Sequence, residues 1–180
     1  IMRIIGGKFR SRRIQVPAKL KARPTTDFAR EGLFNVLNNI IDWEETTALD
    51  LFSGTGSIAL EMVSRGCPKV VCVESENLHW RFICKTKEEL NATELYPLKA
   101  DVFNFISSCR EQFDLIFADP PYDMKNIDSL PSLIIENNLL KPDGLLILEH
   151  SKKLNFSLFP HFVKERVYGN VHYSFFEVEN

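Results

Sequence analysis

The sequence predicts an α/β fold built around a mostly parallel β-sheet, preceded by a small basic β-hairpin. From residue 46 onward, short apolar runs alternate with stretches of helical periodicity. Strands that are apolar almost throughout and separated by helices are typical of a parallel sheet covered on both faces. The last two runs are joined by Gly169-Asn170 with no helix between them, which predicts a closing hairpin and one reversed strand.

The composition is that of one globular domain. The chain has 180 residues, of which 44% are apolar, 26% charged and 11% aromatic, enough for a packed core. No apolar run approaches the ~18 residues of a membrane span, so we expect no contact with a membrane. The cysteines and histidines lack the spacing of a zinc site or a disulfide framework, so we expect no metal and a reducing, cytoplasmic location. These residues are Cys67, Cys72, Cys84, Cys109, His79, His150, His161 and His172.

Positive charge is concentrated at the start of the chain. Residues 1–30 carry nine Lys or Arg and one acid, a net charge of +8, whereas the whole chain carries −2. A basic segment on an acidic body is typical of an extension that binds a polyanion; a merely solvated N-terminus is the alternative. We expect residues 1–24 to form a basic β-hairpin arm with its linker, and residues 25–180 to form the main domain. The candidate substrate contacts in the arm are Lys8, Arg10, Arg12, Arg13 and Arg23.

The elements follow in order along the chain. Arg3 to Val16 reads as two short strands, and Thr25, Thr26 or Asp27 can cap a first helix. The predicted strands of the main sheet are Ala48–Phe52, Val70–Glu74, Leu95–Lys99, Phe113–Ala118, Leu145–Glu149, Phe162–Tyr168 and Val171–Val178. The predicted helices between them are Ile58–Arg65, Asn77–Asn91, Val102–Cys109 and Ile127–Asn138.

A glycine loop follows the first strand of this sheet. Gly54 and Gly56 let the backbone approach a ligand and open a helix whose free N–H groups favour an anionic group. A dinucleotide fingerprint would have glycine where Ala59 stands, and Asp50 would repel a pyrophosphate. Asp50 suits a ligand with an ammonium group, and S-adenosylmethionine carries both an ammonium and a carboxylate.

An acidic residue also ends the second strand of this sheet, and another follows the third strand. Glu74 is the expected acceptor for a ribose diol, and Asp101 is placed to accept from an adenine amino group. An acidic residue at the end of a strand is, when taken alone, more often a helix cap. Because the carboxyl ends of parallel strands meet at one edge of the sheet, four features in register predict a cofactor site there.

The segment Asp119-Pro120-Pro121-Tyr122 follows the fourth strand, which we expect beside the first at the switch point of the sheet. Each proline restricts the residue before it and removes a backbone donor, so the turn is stiff and offers mainly acceptors. Such a surface can hold an NH₂ group and localise its lone pair, while Tyr122 offers a face for a stacked base. The alternative is a rigid loop in which Asp119 caps the next helix.

These motifs resemble those of a known family. Asp50-Leu-Phe-Ser-Gly-Thr-Gly56 followed by Asp119-Pro-Pro-Tyr122 resembles the class I S-adenosylmethionine-dependent amino-methyltransferases. The blocks Met2-Arg-Ile-Ile-Gly-Gly-Lys8, Arg23-Pro-Thr-Thr-Asp27 and Glu31-Gly-Leu-Phe-Asn35 are similar to bacterial enzymes that methylate the N2 amine of a guanine in 16S ribosomal RNA. The resemblance covers almost the whole chain, and the N-terminal blocks are what narrow it to RNA.

The resemblance implies a Rossmann-like sheet of seven strands and assigns roles to the motifs. It implies that Asp119, Pro120, Pro121 and Tyr122 hold the target amine, and that Arg23 and Thr25 lie near the active site. The predicted cofactor contacts are Asp50, Phe52, Gly54, Gly56, Glu74, Asp101 and Val102. Many relatives have a basic residue in place of Phe28 and alanine in place of Gly32, which argues against a phosphate contact at position 28.

We expect, from these observations, a monomeric RNA guanine-N2 methyltransferase acting on ribosomal RNA or a small-subunit particle. A DNA adenine or cytosine amino-methyltransferase shares the proline turn but usually needs a dedicated target-recognition region, for which this chain has little room. A catalytically inactive RNA-binding module with the same fold is a further alternative, and so is a nicotinamide-linked oxidoreductase.

Overall fold

The computed structural model of the chain describes residues 1–20 and 26–179. The strands are β1 (Met2–Arg3), β2 (Arg13–Ile14), β3 (Thr47–Leu51), β4 (Lys69–Glu74), β5 (Leu95–Lys99), β6 (Phe113–Ala118), β7 (Leu140–His150), β8 (Phe162–Tyr168) and β9 (Val171–Glu177). The helices are α1 (Asp27–Asn38), α2 (Ser57–Arg65), α3 (Asn77–Leu90), α4 (Val102–Ser108) and α5 (Leu130–Glu136). Single 3₁₀ turns cover Trp43–Glu45 and Ile127–Ser129. Within the described ranges, no helix is long and apolar enough to cross a membrane.

The seven main strands form one sheet in the order β5-β4-β3-β6-β7-β9-β8. All neighbours are parallel except the two pairs made by β9, which is the one reversed strand of this sheet. The predicted fold class is confirmed, including the small antiparallel hairpin of β1 and β2. The strand order reverses between β3 and β6, and the register pairs Leu51 with Ala118, so the glycine loop and the proline turn leave the sheet side by side.

Two apolar layers cover the sheet. One contains residues of α1, α2 and α3 with Phe117, Tyr173 and Phe175, and the other contains residues of α4 and α5 with Ile116 and Phe176. Successive strand residues point to opposite faces. In β3, Leu49 and Leu51 belong to the second layer. Asp50 between them therefore points toward α1 and α2, where a carboxylate is out of place unless it serves a ligand.

Strand β7 begins at Leu140, five residues earlier than predicted. The sequence Lys141-Pro142-Asp143-Gly144 has the composition of a turn, but the structure keeps it within the strand as an irregular stretch opposite Phe113 and Leu115. The backbone N–H of Asp143 donates to the carbonyl of Val178 at 2.8 Å. That contact joins residues 35 positions apart, which no local pattern could reveal.

The N-terminal hairpin is fastened along α2. The buried carboxylate of Glu61 accepts the backbone N–H of Ile5 at 2.8 Å and that of Gly6 at 2.9 Å, and Arg65 Nε donates to it at 2.9 Å. The backbone N–H of Lys8 donates to the carbonyl of Ser64 at 2.7 Å. Because a nine-residue helix is about 13.5 Å long, the tip of the hairpin lies at the far end of α2 from the glycine loop.

Helix α1 connects the hairpin to the main sheet. It begins where predicted, with Thr26 as N-cap, whose Oγ1 accepts the N–H of Ala29 at 3.1 Å. The buried guanidinium of Arg30 donates to the carbonyl of Arg3 and, at 2.9 Å, to Asp27 Oδ1. The start of α1 and strand β1 are therefore held together, above the carboxyl end of β3.

Candidate active site

The loop after β3 is held in a left-handed backbone conformation at three positions. The φ angles are 60° at Phe52, 57° at Gly54 and 82° at Gly56, which is the N-cap of α2. A side chain at Gly56 would be strained by this φ, and its Cβ would lie only 3.1 Å from Ile83 Cγ1. The loop therefore turns sharply and brings its backbone to the front edge of the sheet.

Glu74 closes this loop from the neighbouring strand. Its Oε1 accepts the N–H of Gly54 at 2.8 Å, and its Oε2 accepts the N–H of Glu76 at 2.8 Å. A carboxylate has about four acceptor positions, and these two bonds use one on each oxygen. The remaining lone pairs can accept two hydroxyl groups, so the geometry fits a ribose diol.

Asp50 is buried in the wall of a cavity of about 280 Å³ that is also lined by Phe52, Gly54 and Arg30. Its Oδ2 has no hydrogen-bond partner. Burial raises the pKa of Asp50 to about 8, against hydrogen bonds from Ser53 and the backbone of Ala59 that lower it. An ammonium group would supply the missing partner and stabilise the ionised form, so this wall fits the amino-acid end of S-adenosylmethionine.

Asp101 and Val102 occupy different environments. Asp101 is the N-cap of α4, and its Oδ1 accepts the N–H of Asn104 at 3.0 Å. This is the helix-capping role that the sequence offered as the alternative for this residue. Its side chain does not line either of the two cavities at this edge, whereas the buried Val102 lines the larger one. Together with the half-exposed Leu78, Val102 offers an apolar wall to a flat ring.

The proline turn borders both cavities through its first residue, Asp119. The backbone N–H of Asp119 donates to the carbonyl of Leu51 at 3.3 Å, which ties the turn to the end of β3. Asp119 lines the smaller cavity and also a larger one of about 780 Å³, as do Phe52 and Gly54. The next helical turn, Ile127–Ser129, has Asn126 in its N-cap position, so Asp119 is not its N-cap residue. The other residues of the turn, Pro120, Pro121 and Tyr122, line the larger cavity.

Glu149 and Tyr173 stand behind this turn, and the motifs did not point to either. Both are fully buried and lie opposite each other on β7 and β9. The hydroxyl of Tyr122 donates to Glu149 Oε2 at 3.3 Å. Burial raises the pKa of Tyr173, and the nearby carboxylates of Glu149 and Asp119 raise it further. The sequence signal was the acid at the end of a strand, the same signal that identified Glu74.

The predicted substrate contacts fall into three groups. The ammonium of Lys8 pairs with Glu94 at 2.5 Å, at the opposite edge of the sheet from the glycine loop. Arg10, Arg12 and Arg13 are exposed and make no ion pair with a described residue. Arg23 and Thr25 lie outside the described residues. Near the glycine loop, the arm contributes the apolar Met2, whose Sδ lies 3.5 Å from Thr55 Oγ1.

Sheet order, glycine loop and proline turn together define a class I methyltransferase fold. Residues 2–177 match the family described as Conserved hypothetical protein 95, and the chain belongs to that family.

Several curated relatives carry the name Ribosomal RNA small subunit methyltransferase D. The one from Buchnera aphidicola subsp. Baizongia pistaciae is 31% identical, with 97% of this chain and 91% of the relative covered. The one from Escherichia coli strain K12 is 28% identical, with 99% and 90% covered. The solved structure of Escherichia coli yhhF superposes with a TM-score of 0.86 at 28% identity, covering 99% of this chain and 98% of that one. The resemblance inferred from the motifs is therefore confirmed at the level of the family.

Proposed function

We propose that this protein transfers a methyl group from S-adenosylmethionine to the exocyclic N2 amine of a guanine in small-subunit ribosomal RNA. The observation that carries the proposal is the shared border of the two cavities at Asp119, Phe52 and Gly54. The proposed donor contacts Asp50 and Glu74 line one cavity each, and Asp119 lines both, so the carboxylate that would hold the amine stands beside the donor contacts. This arrangement suits a direct transfer between two bound molecules. The small-subunit methyltransferase names of the relatives support ribosomal RNA as the substrate class.

In this proposal, the donor is held along the glycine loop. Asp50 pairs with its ammonium, Glu74 accepts its ribose hydroxyls, and Val102 packs against its adenine. Gly54 and Gly56 leave room for contacts between the backbone of the loop and the donor. Asp101 contributes mainly by capping α4, which positions Val102. When bound, the donor supplies an electrophilic methyl group on a sulfonium.

The proline turn holds the acceptor. The carboxylate of Asp119 and the carbonyls of the turn accept the hydrogens of the amine, which localises the nitrogen lone pair and stabilises the positive charge that develops on it. Tyr122 stacks against the extruded base, an interaction of about 1–3 kcal/mol. Because an ammonium-like product can lose a proton after transfer, Asp119 does not have to act as a base beforehand.

In this proposal the arm binds the phosphates of the RNA backbone. We propose that residues 1–24 are the phosphate-binding part of the chain and that residues 25–180 form the catalytic domain, acting as a monomer. Arg10 and Arg12 precede β2 and Arg13 is its first residue, and all three are proposed phosphate contacts. Arg23 and Thr25 are further proposed contacts of the RNA. Lys8, which is paired with Glu94, contributes chiefly by fixing the arm.

The test is methyl transfer by the Asp119→Ala variant. We expect it to lose transfer to undermethylated small-subunit RNA while its affinity for S-adenosylmethionine, measured by calorimetry, stays within about threefold of the wild type. The reason is that the proposed donor contacts, in β3, the glycine loop, β4 and α4, are all retained. Glu136→Ala, an exposed acid at the end of α5, is the matched control and should behave as wild type. Unchanged turnover in Asp119→Ala would refute the role of the turn.

Product analysis separates the alternatives. Mass spectrometry of nucleosides from the methylated RNA should show N2-methylguanosine. Methylated adenine or cytosine in DNA would instead favour the DNA-modifying alternative, and donor binding without any transfer would favour an inactive RNA-binding module.

A further inference from the structure

The first turn of α1 presents an aromatic ring to solvent. Phe28 is 67% exposed, although large apolar side chains are normally buried or scattered singly on surfaces. Phe28 is not isolated, because its ring meets the ring of Tyr168 edge to face, with centroids 5.8 Å apart and planes at 82°. This geometry is a favoured arrangement of aromatic pairs and holds the outer face of Phe28 in a defined orientation.

Gly32 makes this pair possible. It lies one helical turn after Phe28, on the same side of α1, and a Cβ at this position would lie 2.2 Å from Cε1 of Tyr168. Any larger residue would displace the tyrosine ring. A glycine in the middle of a helix costs about 1 kcal/mol relative to alanine, and here that loss accompanies the close approach of Tyr168 to the helix.

Positive charge lies beside the pair on strand β8. Arg166 is exposed and, being two residues from Tyr168, points to the same face of the sheet. Its guanidinium donates to the carbonyl of Glu165 at 3.1 Å and makes no ion pair with a carboxylate of the described residues. The ammonium of Lys164 lies on that face as well, 5.1 Å from the ring centre of Phe175.

This surface adjoins the edge of the sheet that carries the candidate active site. Tyr168 is the last residue of β8 and pairs with Val171, and β9 then runs antiparallel to β7 from His172 opposite His150. The β8–β9 turn is therefore at the same edge as the ends of β6 and β7. Asp27 precedes Phe28 on α1, and Arg30 follows it by two residues. Both line the smaller cavity.

We propose that Phe28, Tyr168 and Arg166 form a second RNA contact, in which an unpaired base outside the catalytic pocket stacks on Phe28 and its phosphate pairs with Arg166. Single-stranded nucleic acid is bound by this combination of aromatic faces and basic side chains. An exposed ring next to unpaired positive charge fits a nucleotide better than an apolar protein surface, which would leave the guanidinium without a partner. The inference rests on the proposed function, because it needs an RNA strand at this edge.

The experiment measures the affinity of undermethylated small-subunit RNA at several salt concentrations. Loss of one stacked base is worth about 1–3 kcal/mol, so Phe28→Ala should weaken binding by about 5- to 150-fold without changing the slope of log affinity against log salt. Phe28→Tyr keeps an aromatic ring and should bind the RNA as tightly as the wild type. Arg166→Gln should reduce the slope by about 1, the signature of one lost phosphate contact. Ile40→Ala removes another exposed apolar side chain, just beyond the far end of α1, and should change neither quantity.

These measurements distinguish a failure of the stacking surface from a failure of the proposed function. If the wild type binds and methylates the RNA and Phe28→Ala binds as tightly as Ile40→Ala, the stacking surface is refuted while the enzyme assignment stands. Weaker binding by Phe28→Tyr than by the wild type also refutes the stacking surface, because a tyrosine ring retains the stacking face. If the wild type neither binds nor methylates the RNA, the proposed function fails and this inference fails with it. Thermal unfolding of each variant, matched to the wild type, shows that the comparison concerns folded protein.

Discussion

The hydroxyl of Tyr122 reaches across from the proline turn to Glu149 Oε2 at the end of β7, 3.3 Å away. Glu149 is completely buried and faces Tyr173 on the neighbouring strand. The turn is thus supported at two points, by Asp119 on β3 and by Tyr122 on β7. A ring anchored through its hydroxyl keeps its orientation, which is what a stacking surface requires.

This anchoring predicts a difference between two substitutions at Tyr122. Tyr122→Phe keeps the ring and loses the hydrogen bond to Glu149, so we expect kcat/KM for RNA methylation to fall less than tenfold. Tyr122→Ala loses the ring, and at about 1–3 kcal/mol per stacked base the fall should be about 5- to 150-fold. Steady-state kinetics with subsaturating RNA measures both. Equal values for the two variants would mean that the ring does not contact the base.

The raised pKa of Asp50 predicts how stability changes with pH. The carboxyl titrates at about 8 in the folded protein and near ~3.9 when unfolded. Between these values the folded state holds a proton that the unfolded state has released. The free energy of unfolding should therefore fall as pH rises through this window, by at most ~1.4 kcal/mol per pH unit from this group.

Asp50→Asn cannot ionise and removes this contribution. Urea unfolding of the ligand-free protein between pH 5 and 9 should show the variant gaining stability relative to the wild type as pH rises. The difference between the two proteins isolates Asp50 from every other titrating group. A difference that stays constant over this pH range would contradict the assigned pKa.

Glu74 is expected to control donor affinity through the glycine loop. Glu74→Ala removes the acceptors of the Gly54 and Glu76 N–H groups, and a hydrogen bond to a charged group is worth about 1.5–3 kcal/mol. We expect the affinity for S-adenosylmethionine, measured by calorimetry, to fall at least tenfold. Glu88→Ala, an exposed acid on α3, should leave it unchanged. Equal affinities would show that Glu74 does not position the loop or meet the donor.

Two glycines with left-handed backbone separate strain from steric contact. Gly7 has φ 78° and Gly169 has φ 63°, but a Cβ on Gly7 would lie 1.9 Å from the carbonyl oxygen of Ser64, whereas one on Gly169 has no neighbour within 4 Å. Gly169→Ala should cost only the conformational strain of about 1–2 kcal/mol. Gly7→Ala should lower the free energy of unfolding by clearly more and should detach the hairpin from α2. Calorimetric unfolding measures the first effect, and RNA affinity measures the second. Similar losses in both variants would show that the Ser64 contact does not hold the arm.

The sequence by itself determined the alternation of elements and the edge at which function is concentrated. Apolar runs and helical spacing are local properties, so the strands and helices could be placed within a few residues. Asp50 and Glu74 lie in the last two positions of their strands and Asp119 directly follows a third strand. Because parallel strands end at one edge, their proximity followed from topology alone. Thr26 was among the predicted caps of α1 for the same local reason.

Only the tertiary structure decided which polar groups meet. Lys8 and Glu94 are 86 residues apart, and their pairing places the hairpin tip away from the candidate active site. The bond between Tyr122 and Glu149, and the place that Gly32 leaves for Tyr168, depend on how α1, β7 and β8 pack against one another. Contacts of this kind depend on side-chain packing between distant segments, and the periodicity of a single chain carries no information about it.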